Sequence, residues 1–218
     1  MTKPHGQHAV TPLRRHAAPP PPSSPTIEGM TDAHTHLTPT PLTRTRLAHT
    51  AELDAHTRAA AKALLQDAFA GDMSEEDWDH ALGGMHALVW EGAELIGHAS
   101  VVQRRMLHAG RSLRCGYVEG VGVRADRRRR GHGAAMMTAL EQVIHNAYDL
   151  GALSASADAV PFYTARGWQL WQGPSAVLSP TGLQHTKDED GAIYVLQGNT
   201  PLNLKDQLAC DWRDGDVW

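Results

Sequence analysis

The sequence predicts an α+β (mixed α/β) domain in which a mostly antiparallel sheet is flanked by helices. Three observations predict it. Three strand-like runs follow one another across tight glycine turns, over residues 85–90, 95–107 and 113–123. A basic, glycine-rich turn at 127–133 then opens an amphipathic helix. Short apolar segments at 152–155 and 193–196 add strands after that helix.

The elements follow in order. Residues 1–41 read as a disordered leader. Pro19, Pro20, Pro21 and Pro22 stand in a row before Ser23, Ser24 and Pro25, and such a segment buries too little apolar surface to offset its ordering entropy. The folded domain is expected over 42–218. Residues 52–69 carry a helical stripe of Leu53, Leu64, Leu65, Ala68 and Phe69, broken by Gly71. Ser74-Glu75-Glu76-Asp77 resembles a capping box, with Asp77 in place of the usual Glu or Gln, and opens a short helix bearing Trp78. The meander turns at Glu91-Gly92 and Ala109-Gly110. Met136, Met137, Leu140, Val143, Ile144 and Ala147 mark the following helix, which Gly151 is expected to end. A short helix over 160–166 closes on Gly167, a C-cap glycine.

Composition narrows the function. The chain has 218 residues, 41% of them hydrophobic, with a formal charge of -4. This balance disfavours a nucleic-acid binder and suits a cationic partner. Cys115 and Cys210 are too few for a disulfide framework or a zinc site, so a reduced, cytoplasmic compartment is expected. No apolar run approaches the roughly 18 residues of a membrane helix. Asp32-Ala33-His34-Thr35-His36 imitates a metal-binding pair but lacks a strand pattern around it, and no other histidine spacing suits a metal.

The most informative stretch is 121–134, a strand, a turn and a helix start. Gly131 and Gly133 allow close backbone approach, and the bare amides and dipole of the helix start favour an anion. With Arg127, Arg128, Arg129 and Arg130 beside them, a diphosphate is the natural guest. Neither a P-loop nor a dinucleotide fingerprint matches. The run Arg128-Arg129-Arg130-Gly131-His132-Gly133 does resemble the acetyl-CoA signature of the GNAT acetyltransferases, Gln/Arg-x-x-Gly-x-Gly/Ala. Pro161 to Trp168, a tyrosine-bearing helix followed by Gly167-Trp168, resembles that superfamily's closing motif.

A closer resemblance rests on several motifs in order. They are Ala68-Phe69-Ala70-Gly71-Asp72, Asp77-Trp78, Leu82 to Leu88, Arg114 to Val121, and the C-terminal Cys210-Asp211-Trp212-Arg213-Asp214-Gly215-Asp216-Val217-Trp218. Together these resemble the mycobacterial-type aminoglycoside 2'-N-acetyltransferases over about 42–218. The resemblance implies a GNAT fold whose two central parallel strands splay to form the acetyl-CoA cleft. It implies that the backbones of Val121 and Val123 pair with the pantetheine arm. It implies diphosphate contacts from the turn, here Arg128, Arg129, Arg130, Gly131, His132, Gly133 and Ala134. It implies aminoglycoside contacts from Asp72, Asp77, Glu119, Ser154, Glu189, Asp216 and Trp218, and it implies a homodimer.

The expected chemistry is direct acetyl transfer from acetyl-CoA to the 2'-amino group in a ternary complex, giving aminoglycoside resistance. An ammonium must lose a proton before it attacks, and Glu119, beside the pantetheine-pairing residues, is the candidate base. Tyr163 is the candidate acid for the departing thiolate. Two alternatives stay open: a GNAT enzyme for another small amine (a polyamine, a cell-wall amino sugar or a thiol conjugate), and a non-catalytic acetyl-CoA sensor.

Overall fold

The architecture was obtained as a computed structural model. It describes residues 42–198 and 201–218, so the leader over 1–41 and the His34–His36 pair lie outside the described residues. Strand β1 (Thr43–His49) pairs antiparallel with β2 (Met85–Glu91), β2 with β3 (Glu94–His108), and β3 with β4 (Arg111–Val123). This is the expected meander, with one more strand at its outer edge. Between β1 and β2 lie helices α1 (Ala55–Ala68) and α2 (Glu75–His80). The first begins later than the apolar stripe suggests. Asp54 accepts the amide of Thr57 at 2.7 Å and so caps the helix, and the residues before it form a single 3-10 turn. The second begins on a reciprocal capping box, with Ser74 Oγ accepting from the Asp77 amide and Asp77 Oδ2 from the Ser74 amide.

Helix α3 (His132–Ala147) buries Met136, Met137, Leu140 and Ile144 against the sheet. It stops at Tyr148, not at Gly151 as the sequence suggested. Gly151 lies instead inside β5 (Leu150–Ser154), where a Cβ would meet Ile144 and Trp168 at 3.1 Å. Close packing, not helix termination, explains that glycine. After β5 come α4 (Val160–Thr164), β6 (Gln169–Leu170), the hairpin of β7 (Ser175–Ser179) and β8 (Gly182–His185), then β9 (Ile193–Gln197) and β10 (Leu208–Asp211).

One sheet joins them in the order β6-β9-β5-β4-β3-β10-β7-β8, with β2 and β1 on the edge of β3. The long β3 is divided along that edge. Its first part pairs with β2, and its last residues, Met106 to His108, pair with β10. The burial pattern follows this division. Ile96 to Val102 is buried throughout, whereas Gln103 to His108 alternates exposed and buried. Two features then position the site. Strands β4 and β5 run parallel but pair only through Cys115, Gly116 and Tyr117, so from Val118 onward a gap opens between them. Opposite the gap, the pairing of β4 with β3 slips between His98 and Ser100, where two residues of β4 oppose one of β3. Gly120, at φ +54°, takes the bulge. Val118 and Val121 consequently pack into the same α3-facing core, which a regular strand alternation would forbid.

Candidate active site

The gap between β4 and β5 is a cavity of about 280 Å³. Val118, Glu119, Gly120 and Val121 form one wall and Leu153 to Ser156 the other. Asp72 reaches it from the segment leading into α2, Asp77 from the first turn of α2, Tyr163 from α4, and Asp216 and Trp218 from the stretch after β10. Six of the seven sequence-predicted substrate residues therefore meet around one space. The seventh, Glu189, stands behind the wall and accepts from Ser154 Oγ at 3.4 Å. Burial, with Asp216 adding to it, pushes the Glu189 carboxyl above its ordinary range. Trp218 is almost fully buried, its indole donating to Thr186 Oγ1 at 2.8 Å.

A second hollow, of about 490 Å³, lies at the turn and is lined by Val123, Arg127, Arg128, Arg129, Gly131, His132, Gly133, Ala134 and Phe162. Arg130 does not line it. Arg129 at φ +62° and Gly131 at φ +85° are both left-handed. Left-handed residues in such a turn can aim neighbouring backbone N–H groups inward as an anion nest, and α3 adds the unpaired amides of its first turn. The arginines divide. Arg124 and Arg127 are held by Glu94, Asp126 and Glu91. Arg128 braces the turn, donating to the carbonyls of Val123 and Ala68. Donor geometry and charge thus fit a diphosphate.

The electrostatics of the cleft are set by burial and by one cation. Burial pushes the Glu119 carboxyl up, and the Arg213 guanidinium, 2.5 Å away, pulls it back. Burial alone pushes the Tyr163 phenol up to about 12, so it keeps its proton at neutral pH. Tyr117 also lines the cavity, and its buried hydroxyl has no hydrogen-bond partner among the described residues. Cys115 is a packed thiol, wholly buried and pushed up by burial.

A buried chain of hydrogen bonds anchors the bulge. His98 Nδ1 lies 2.9 Å from the Gly120 carbonyl, His98 Nε2 lies 2.9 Å from His86 Nδ1, and His86 Nε2 lies 2.7 Å from the Thr50 hydroxyl. A carbonyl only accepts, so Nδ1 of His98 must carry the proton. With both rings neutral, His86 then donates from Nδ1 and accepts from Thr50 at Nε2. Burial lowers these imidazoles to about 4 and about 3, which keeps them neutral.

Sequence reasoning missed Phe69, Met73, Tyr117 and Ala159 as lining residues and gave Arg213 no role. Phe69 and Tyr117 lie inside quoted motifs and Met73 and Ala159 within two residues of one, so all four were legible. Arg213 lay inside a quoted motif, but its partner Glu119 is 94 residues away, beyond any local signal.

The acetyltransferase (GNAT) domain family matches residues 46–171, and the chain belongs to that family. More narrowly, it is 51% identical over 177 residues to an aminoglycoside 2'-N-acetyltransferase from Mycolicibacterium fortuitum, which spans 79% of this chain and 91% of that enzyme. The fold resembles that of the GNAT protein YhbS from Escherichia coli, solved in complex with CoA, at a TM-score of 0.56 and 16% identity, covering 82% of this chain and 94% of that one. It also resembles Eis1 from Mycobacterium abscessus, at a TM-score of 0.51 and 20% identity, covering 62% of this chain and 33% of that one. Among the described residues no helix is long and apolar enough to cross a membrane.

Proposed function

We propose that the chain transfers the acetyl group of acetyl-CoA to the 2'-amino group of aminoglycosides by direct attack in a ternary complex, and so confers resistance to them. The observation that carries this reading is the meeting of Asp72, Asp77, Glu119 and Asp216, four carboxylates from three separate parts of the chain, around the gap where β4 and β5 part. The 51% identity to an enzyme of that activity supports it.

Acetyl-CoA supplies an acyl group activated as a thioester. The amides of Gly131, His132, Gly133 and Ala134 hold its diphosphate, and Arg128, Arg129 and Arg130 add positive charge around the turn. The backbones of Val121 and Val123 hold its arm. The acids of the cleft, with Ser154, Glu189 and Trp218, bind the ammonium and hydroxyl groups of the drug. Glu119 takes the proton of the 2'-ammonium through ordered water. Tyr163, protonated at neutral pH, donates to the leaving sulfur. The protein is a cytoplasmic homodimer with no metal, nucleic-acid or membrane partner, and residues 1–41 are dispensable for turnover.

The test is release of free thiol from acetyl-CoA across a small aminoglycoside panel. Drugs with a 2'-amine are expected to turn over, and analogues with a 2'-hydroxyl to react poorly. No turnover on any 2'-amino drug defeats the assignment.

A further inference from the structure

We propose that Arg213 is the positioning residue of this site: one guanidinium holds the Glu119 carboxylate in the floor of the cleft and, at the same time, ties down the residues that carry Asp216 and Trp218. The inference rests on the acetyl-transfer reading and extends it to a residue outside the substrate and coenzyme sets.

The geometry is that of a fork with three prongs engaged. Nη1 donates to Glu119 Oε1 at 2.5 Å, Nε to the Asp216 carbonyl at 2.7 Å and Nη2 to the main-chain oxygen of Trp218 at 3.0 Å. Both ion-pair partners are largely shielded, with side-chain exposures of 15% and 14%. The guanidinium carbon also lies 5.5 Å from the centre of the Tyr117 ring, beside the same strand. A planar, permanently charged group with fixed donor directions can serve a side-chain carboxylate and two main-chain oxygens together, which an ammonium cannot. The local chain follows from these contacts. The segment folds back at Gly215, at φ +73°, and Asp216 Oδ1 accepts the Trp218 amide at 3.1 Å.

Two separable consequences follow. The charge opposes burial, the larger influence on Glu119, and so favours the ionised carboxylate. The other groups facing Glu119 are Arg104 and His80, which act in the same sense as Arg213, the phenol of Tyr117, and the carboxylates Asp72, Asp77 and Asp216 that line the cleft. The fork, as distinct from the charge, fixes the two substrate-facing residues of the tail.

Arg213→Gln and Arg213→Lys separate the two. Removal of the charge in Arg213→Gln is expected to move the acidic limb of kcat/KM upward by about one pH unit or more, since Glu119 loses its counter-ion. Arg213→Lys keeps the charge and loses the fork. Its acidic limb should stay within about 0.3 pH units of the wild type while KM for a 2'-amino drug rises about tenfold. An unmoved limb in Arg213→Gln, or an unchanged KM in Arg213→Lys, overturns the proposal. A reading without turnover guards against misfolding and against failure of the functional assignment. In a thermal-unfolding double-mutant cycle of Glu119→Gln with Arg213→Lys, losses smaller than additive are expected, and strictly additive losses overturn it. A wild type that transfers no acetyl group defeats the functional reading alone, and the cycle then still decides whether Arg213 holds Glu119.

Discussion

The two ends of the cleft are built by opposite means. At the turn, a continuous stretch of chain offers backbone amides, and the grip depends on dihedral angles at Arg129 and Gly131. At the acidic end, side chains arrive from α2, β4, β5 and the segment after β10, and the grip depends on tertiary packing. The first end should tolerate loss of a side chain but not of a conformation. The second should show the reverse.

The largest expected effect lies at the acidic end. Glu119→Gln should lower kcat/KM by about 100-fold to 10,000-fold near pH 6, and by much less near pH 9, where the amine is neutral without help. A loss of equal size at every pH would remove the base from the comparison. Next comes Gly131→Val at the turn. A Cβ there meets nothing within 4 Å, so the cost is conformational, at φ +85°. Coenzyme A affinity, measured by calorimetry, should fall about tenfold or more for a strain of 1–2 kcal/mol, with little change in secondary structure. Asp216→Asn should raise KM for a 2'-amino drug by up to about tenfold and leave coenzyme affinity alone.

The bulge between the two ends has its own signature. His86 and His98 titrate in the fold at about 3 and about 4, below the 6.5 of a free imidazole. Their folded-state values are depressed, so the unfolded chain binds protons first as pH falls. The stability they contribute is present above pH 6.5 and is lost progressively as pH falls toward 4 and then 3. The melting temperature should therefore fall over that window, and the fall should be shallower in His98→Gln. The smallest effect is expected from Arg129→Gly, which relieves a left-handed non-glycine residue and keeps the nest. Coenzyme affinity within about threefold of wild type would sharpen the claim that backbone does the holding; a large loss would give that end of the cleft to side-chain charge.

The same contrast explains what the sequence disclosed. The turn and its helix were legible because strand, glycines, arginines and apolar stripe are contiguous. The meander was legible because its strands are long and its turns carry glycine. Strand β1 was not, since Thr43 to Leu47 is exposed and alternates polar residues with little apolar signal. Strand β8 is exposed along its whole length, and β6 has only two residues, so neither leaves a periodic trace. Strand β10, with four residues, is defined by its partners and not by its own pattern. Helix α3 was extended too far because apolar residues continue past Ala147 into β5, and local pattern cannot separate a packed glycine from a stop. The acids at 72, 77 and 216 were recognised by family motif; nothing in their spacing says that they converge.

The division of β3 between β2 and β10 carries a consequence for synthesis. Arg104 on β3 and Asp211 on β10 are 107 positions apart, and their contact seats the segment that bears Asp216 and Trp218. A chain emerging from the ribosome can form the nucleotide cradle while that segment is still inside the exit tunnel. The residues of the turn are thus made before the segment that bears Asp216 and Trp218, which can be seated only once Asp211 has joined the chain.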